Sequence, residues 1–135
     1  MIAVNEFRMG NLLLQKSGPK IKRVPFGLQH LELFAKGDLS ALHPVVLKPE
    51  LVETCGFEEN KKYPLLPEAR EFTLVLPVPG GYRNELRVYS KNNGECFGRY
   101  SVNDAVASQN FYLLHQLQNL YYSLTGTDLD VSKLL

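Results

Sequence analysis

The chain has 135 residues, with 15 basic against 14 acidic side chains, three histidines, two cysteines and no tryptophan. That length fits one domain over residues 1–135, and 44% hydrophobic with 21% charged residues excludes collagen-like, disulfide-scaffold and wholly disordered chains. A net charge of +1 supplies no whole-molecule field to steer the protein to nucleic acid or an anionic membrane.

The near-neutral total hides an uneven distribution. Residues 1–48 carry seven basic and three acidic side chains, and residues 49–79 carry three basic and six acidic. The basic excess concentrates at Lys16, Lys20, Lys22 and Arg23. Such a cluster reads as a solvated hairpin or as a set of phosphate contacts. Cys55 and Cys96 have no near Cys or His partner, so both are expected as buried thiols acting as small hydrophobes. The first ten residues lack the basic start and apolar stretch of a signal peptide. No apolar run reaches the ~18 residues of a membrane span. The expectation is a cytoplasmic protein that does not enter the membrane.

In chain order, residues 1–47 are expected to hold the N-terminal strands. Met9 to Gln15 reads as a strand ending at the turn Lys16-Ser17-Gly18-Pro19, with Ile21 to Phe26 returning as its hairpin partner. Leu28 to Phe34 alternates well enough to suggest a third strand. Residues 48–57 form a short helix: Pro49 suits its first position, Glu50 its positive start, and Gly56-Phe57 its end. Residues 58–71 read as an exposed acidic loop. Residues 72–101 hold strands at Phe72–Leu76, Leu86–Lys91 and Glu95–Tyr100, the last two joined through Asn92-Asn93-Gly94. Asn-Gly between β-formers is a strong hairpin signal, read here as two turn residues with positive φ. Residues 108–125 read as a long helix capped by Gly126.

Ala105 to Thr127 contains no Asp, Glu, Lys or Arg. At 100° per residue, Leu113, Leu114, Leu117, Leu120, Tyr121 and Leu124 fall on one arc, the expected core stripe. Phe111, Tyr112, His115, Gln118, Asn119 and Tyr122 fall opposite. A solvent face would carry Lys and Glu, whereas this one carries aromatics and amides. It therefore suits three roles: a face covered by another part of the chain, a protein or self-association interface, or a stacking surface for a ligand or single strand.

The segment Tyr112-Leu113-Leu114-His115-Gln116-Leu117-Gln118-Asn119-Leu120-Tyr121-Tyr122-Ser123-Leu124-Thr125-Gly126 resembles the closing motif of a family of small uncharacterised proteins of gut bacteria and their phages and mobile elements. Met9-Gly10-Asn11-Leu12 and the helix ending Gly56-Phe57 match two further blocks of that family. Lys48 stands where a Ser or Thr cap is usual, and Lys16 to His43 has no counterpart. The resemblance implies a bacterial or phage origin and transfers no activity, cofactor or catalytic residue.

Catalytic and metal-binding patterns are not visible. His30, His43, His115, Cys55 and Cys96 are scattered singly, without the spacing of a zinc site. A Cys–His pair between Cys55 or Cys96 and His115 would have to assemble in space. No G-x-S-x-G, phosphate-loop or dinucleotide pattern occurs. No cofactor and no catalytic residue is expected, and Glu58-Glu59 reads as a solubilising pair. His115 is the best single candidate for a specific contact, with Gln118 and Asn119 one turn away.

The expected fold is therefore α+β: an antiparallel sheet, with a small SH3-like barrel as one arrangement of its N-terminal strands, one short central helix, and a long C-terminal helix packed on the sheet. Two small sheets are the alternative. The expected function is a non-enzymatic protein-interaction module acting through Phe111, Tyr112, His115, Gln118, Asn119 and Tyr122 on the C-terminal helix. The alternative is a nucleic-acid accessory protein using Lys16, Lys20, Lys22 and Arg23.

Overall fold

The computed structural model describes residues 7–35, 42–61, 68–77 and 81–135, and it is α+β with two antiparallel sheets. The first sheet is built from β1 (Leu12–Ser17), β2 (Lys20–Pro25) and β3 (Leu42–Pro44), in the order β2-β1-β3. A helix, α1 (Leu28–Ala35), lies between β2 and β3 in sequence, and α2 (Pro49–Thr54) follows β3. The second sheet runs in simple order through β4 (Glu58–Asn60), β5 (Ala69–Val75), β6 (Asn84–Lys91), β7 (Cys96–Val102) and β8 (Ala105–Val106). The last helix, α3 (Leu114–Thr125), and a short 3-10 turn at Ser132–Leu134 close the chain.

Local chemistry accounts for several elements. The β1–β2 hairpin forms as expected, with Ser17 opposite Lys20. Gly10 takes a left-handed φ of 88° and its N–H donates to the Phe26 carbonyl at 2.9 Å, so the strand starts at Leu12 rather than Met9. Pro49 opens α2 and Gly56 closes it at a φ of 102°. The Phe57 N–H then folds back on the Val52 carbonyl at 3.1 Å. Gly126 ends α3 with a φ of 72°, donating to the Tyr122 carbonyl.

Five expectations need correction. The first sheet is open: β2 and β3 flank β1 on either side, so the described strands form no small barrel. Leu28 to Phe34 is helix, not strand. His30 points inward and is buried, while Leu28 is 74% exposed, so the polarity pattern runs against burial. The Gly27 N–H donates to His30 Nδ1 at 2.9 Å and fixes the first turn. The 58–71 stretch is not one loop, because Glu58–Asn60 pairs with β5 as an edge strand and β5 starts at Ala69. Residues 62–67 lie outside the described residues. The Asn93-Gly94 hairpin is present, but its loop is three residues long: the Lys91 N–H donates to the Glu95 carbonyl at 2.8 Å. Of those three residues only Gly94 has positive φ, the bulged form of hairpin turn.

The fifth correction concerns α3, which starts at Leu114 instead of Ser108. Residues 111–113 are stretched between the two sheets, bridging Phe111 to Gly98 on β7 and Leu113 to Val46 beyond β3. Backbone bonds from Leu47 N–H to the Tyr112 carbonyl (3.0 Å) and from Leu114 N–H to the Val45 carbonyl (2.8 Å) complete this strap. A Cβ on Gly98 would stand 2.2 Å from the Phe111 ring, so the close approach requires glycine. Gln116 then reaches back to accept from the N–H groups of Tyr112 and Leu113, satisfying donors that a helix start leaves open.

One buried cluster joins Leu12 of β1, Leu51 and Val52 of α2, Phe72, Leu86 and Val88 of the large sheet, Phe111, and Leu114 and Leu117 of α3. Leu120, Tyr121 and Leu124 of the expected stripe pack against it from partly buried positions. No helix among the described residues is long and apolar enough to cross a membrane.

Candidate functional site

The charge-free face of α3 does not stand open. Phe111, His115 and Gln118 are buried. Phe111 lies against Gly98 of β7, and the segment leading into β1 meets His115 and Gln118. Gln118 Oε1 accepts from the Leu12 N–H at 2.8 Å, and its Nε2 donates to the Gly10 carbonyl at 3.3 Å. Asn119 Oδ1 accepts from Asn11 Nδ2 at 2.8 Å. The His115 ring lies 4.9 Å from that of Phe7. Tyr112 and Tyr122 are exposed, but Arg8 sits 4.2 Å over the Tyr122 ring. The six residues therefore form no shared outward face. The amides act as a latch on the incoming segment, Gln118 through that segment's backbone and Asn119 through the Asn11 side chain, a role neutral side chains fill without desolvating a charge.

The basic cluster is split as well. In the hairpin register, Lys22 faces Gln15 and Lys20 faces Ser17, so Lys20 and Lys22 share one face and flank a groove of about 490 Å³. Lys16 and Arg23 pair with Ile21 and Leu14, on the other face, because side chains alternate along a strand. Arg23 Nη1 donates to the Leu134 carbonyl at 3.3 Å. Four consecutive-looking cations thus become two pairs pointing apart.

Both thiols are free and buried. Burial, then the nearby charge of Asp130, pushes Cys55 up to about 11. Burial, then Glu50, does the same for Cys96. Each is protonated at neutral pH and unsuited to nucleophilic attack. Among the described residues no group of three or more His, Cys, Asp or Glu could hold a metal ion.

The site that the structure does assemble lies on the face of the five-stranded sheet turned away from the core. Cross-strand pairing sets its residues in rows: Val75, Glu85, Ser101 and Val106; then Glu58, Thr73, Arg87 and Arg99; then Asn60, Glu71, Tyr89 and Phe97. A cleft of about 570 Å³ opens on this grid, and its described lining sets five carboxylates (Glu58, Glu59, Glu71, Glu85 and Asp104) against two guanidinium groups (Arg83 and Arg87), with Glu59 also paired to Arg70 at 3.0 Å.

Arg87 is the centre. It is buried, as are Glu71 and Glu85. Its Nη2 donates to Glu85 Oε1 at 3.1 Å and pairs with Asp104, while its Nε lies 3.5 Å from Glu71 Oε1. Burial alone would lower its pKa, but the bond to Asp104 and the charge of Glu85 outweigh burial and raise it. Arg83 meets Glu85 at 2.8 Å, and Asn60 Nδ2 donates to Glu71 at 3.3 Å. Burial, then the Glu71 charge, raises the Tyr89 hydroxyl. Arg99 lies over the rings of Tyr89 and Phe97 at 5.6 and 5.1 Å, a cation–π arrangement that shields this end of the grid.

The tight turn between β7 and β8 delivers Asp104. Asn103 and Asp104 both adopt positive φ, 49° and 69°, the turn that Asn and Asp tolerate best. Asn103 Oδ1 accepts from the Arg83 N–H at 2.7 Å, tying the turn to the start of β6.

Sequence reasoning missed this site because its parts come from β4, β5, the β6 region and the β7–β8 turn. The available signal was the alternation Glu85, Arg87, Tyr89 on β6, charged or polar groups at every second position of a strand. Arg87 Nη1 is a buried donor with no hydrogen-bond partner among the described residues. The excess of carboxylate suits a cationic group. Compared with protein-family models, curated proteins and solved structures, the chain finds no match.

Proposed function

We propose that the chain is a non-enzymatic protein-interaction module, cytoplasmic and of bacterial or phage origin, that receives cationic side chains in the cleft on the outer face of its five-stranded sheet. The observation that carries the reading is a cleft large enough for side chains whose described lining holds more carboxylates than guanidinium groups, even with Glu59 paired to Arg70. Complementary charge selects and orients such a contact. Val75, at the cleft wall and 55% exposed, adds the apolar margin that interfaces combine with charge. The origin rests on the resemblance of residues 112–126. The nucleic-acid alternative loses its continuous basic patch when the hairpin sends Lys16 and Arg23 to one face and Lys20 and Lys22 to the other.

The test is a titration of isotope-labelled protein with a short Lys/Arg peptide at low salt. Amide shifts should concentrate at Glu58, Glu71, Arg87 and Asp104, vanish in Glu58→Gln with Asp104→Asn, and be missing with a Glu-substituted peptide. Binding of the basic peptide elsewhere, or nowhere, overturns the reading.

A further inference from the structure

Lys20 and Lys22 are exposed on the edge strand β2, and among the described residues neither takes part in an ion pair. The cleft, on the other sheet, has carboxylates in excess of guanidinium groups. We infer that the occupant of the cleft is the β1–β2 hairpin of a second copy of this chain. The inference rests on the reading of the cleft as a receptor for cationic groups.

Charge complementarity is the first support. Residues two apart on a strand leave the same face about 7 Å apart, so the two ammonium groups arrive together at a surface whose acids lie on adjacent strands. The second is geometric. Lysines along an exposed edge strand oppose edge-to-edge pairing of sheets, which disfavours that competing symmetric dimer. Hairpin and cleft are different patches, so each copy offers one of each and association runs head to tail.

Sedimentation velocity on the full chain tests this. At ~10 mM ionic strength, where charges act over ~30 Å, the protein should sediment as dimers and larger species, and at ~1 M, where the range is ~3 Å, as monomer. Lys20→Glu with Lys22→Glu should be monomeric at low salt, and so should Glu58→Gln with Asp104→Asn. Circular dichroism should show each folded as the parent. An equimolar mixture of the two variants holds one intact cleft and one intact hairpin, so it should form a two-chain species and nothing larger. A parent chain that stays monomeric at low salt up to ~1 mM, the range of weak contacts, overturns the inference, as does a mixture without the two-chain species. If the basic peptide still shifts the cleft amides in that case, self-association falls alone. If the peptide also fails, the receptor reading falls with it.

Discussion

Two regions of this protein place polar groups away from water, and they do so in opposite ways. Under the start of β1, the α3 amides meet neutral groups: Gln118 bonds the Leu12 and Gly10 backbone, and Asn119 bonds the Asn11 side-chain amide. On the outer sheet face, Glu71, Glu85 and Arg87 are equally buried, yet they pair with each other, carry surplus negative charge and surround open space. The amide region is a closed latch. The charged region sets more carboxylates than guanidinium groups around a cleft among its described residues. Polarity in the sequence therefore indicates a contact without saying whether the chain itself already makes it.

The largest expected effect separates the two regions by charge. Arg87→Ala strips the counter-charge from Glu71 and Glu85, and should cost about 3–5 kcal/mol in urea unfolding. Arg87→Met, which keeps packing volume, should unfold at a similarly reduced midpoint if the charge is what matters. Recovery to the parent midpoint would show that packing dominates. Next comes the latch. Gln118→Ala leaves the buried Leu12 N–H without its acceptor and should cost about 1–3 kcal/mol, with no change in the salt dependence of association. A changed salt dependence would contradict the division drawn between the two regions.

A third expectation concerns pH. His30 stacks on Phe26 at 5.7 Å, and burial holds its pKa below the ordinary value of 6.5. The folded state then binds fewer protons than the unfolded state between the lowered value and 6.5. Its contribution is fully present above 6.5 and is lost as pH falls through that window. Thermal unfolding from pH 7.5 to 5 should show this decline, and His30→Gln should flatten part of it. The sheet cleft has no histidine among its described lining residues, so the part of the response that His30→Gln removes belongs to the β1–α1 side. The smallest effect is expected from Lys20→Glu with Lys22→Glu. These residues are exposed, and monomer stability should stay within about 0.5 kcal/mol of the parent even where association is lost.

Much of the local structure was legible because the responsible signals act within a few residues. Pro49 and Gly56-Phe57 bound α2, the Gly18-Pro19 turn sets the first hairpin, Gly94 the second, and Gly126 ends α3. Errors arose where a distant partner overrode the local pattern. Leu28 to Phe34 alternates like a strand, but His30 turns inward to meet Gln15 and Phe26, and the segment winds into helix. Ser108 to Leu113 reads as the start of a helix, but Gly98 and Val46 hold its second half extended. Glu58-Glu59 reads as loop because a three-residue edge strand has no periodicity of its own.

The sequence by itself determined the α+β class, both hairpins, the capped ends of two helices and the unusual absence of charge in the last one. Those properties follow from backbone dihedral preferences and from hydrophobic period, which are local. Tertiary structure alone decided that the charge-free face is covered, that the basic cluster divides across two faces, and that three strands and the β7–β8 turn bring five carboxylates to the cleft that Arg87 lines. Each outcome depends on strand register and on which surfaces meet. Register is set jointly by the pairing strands and the core beneath them, so no single segment contains the information.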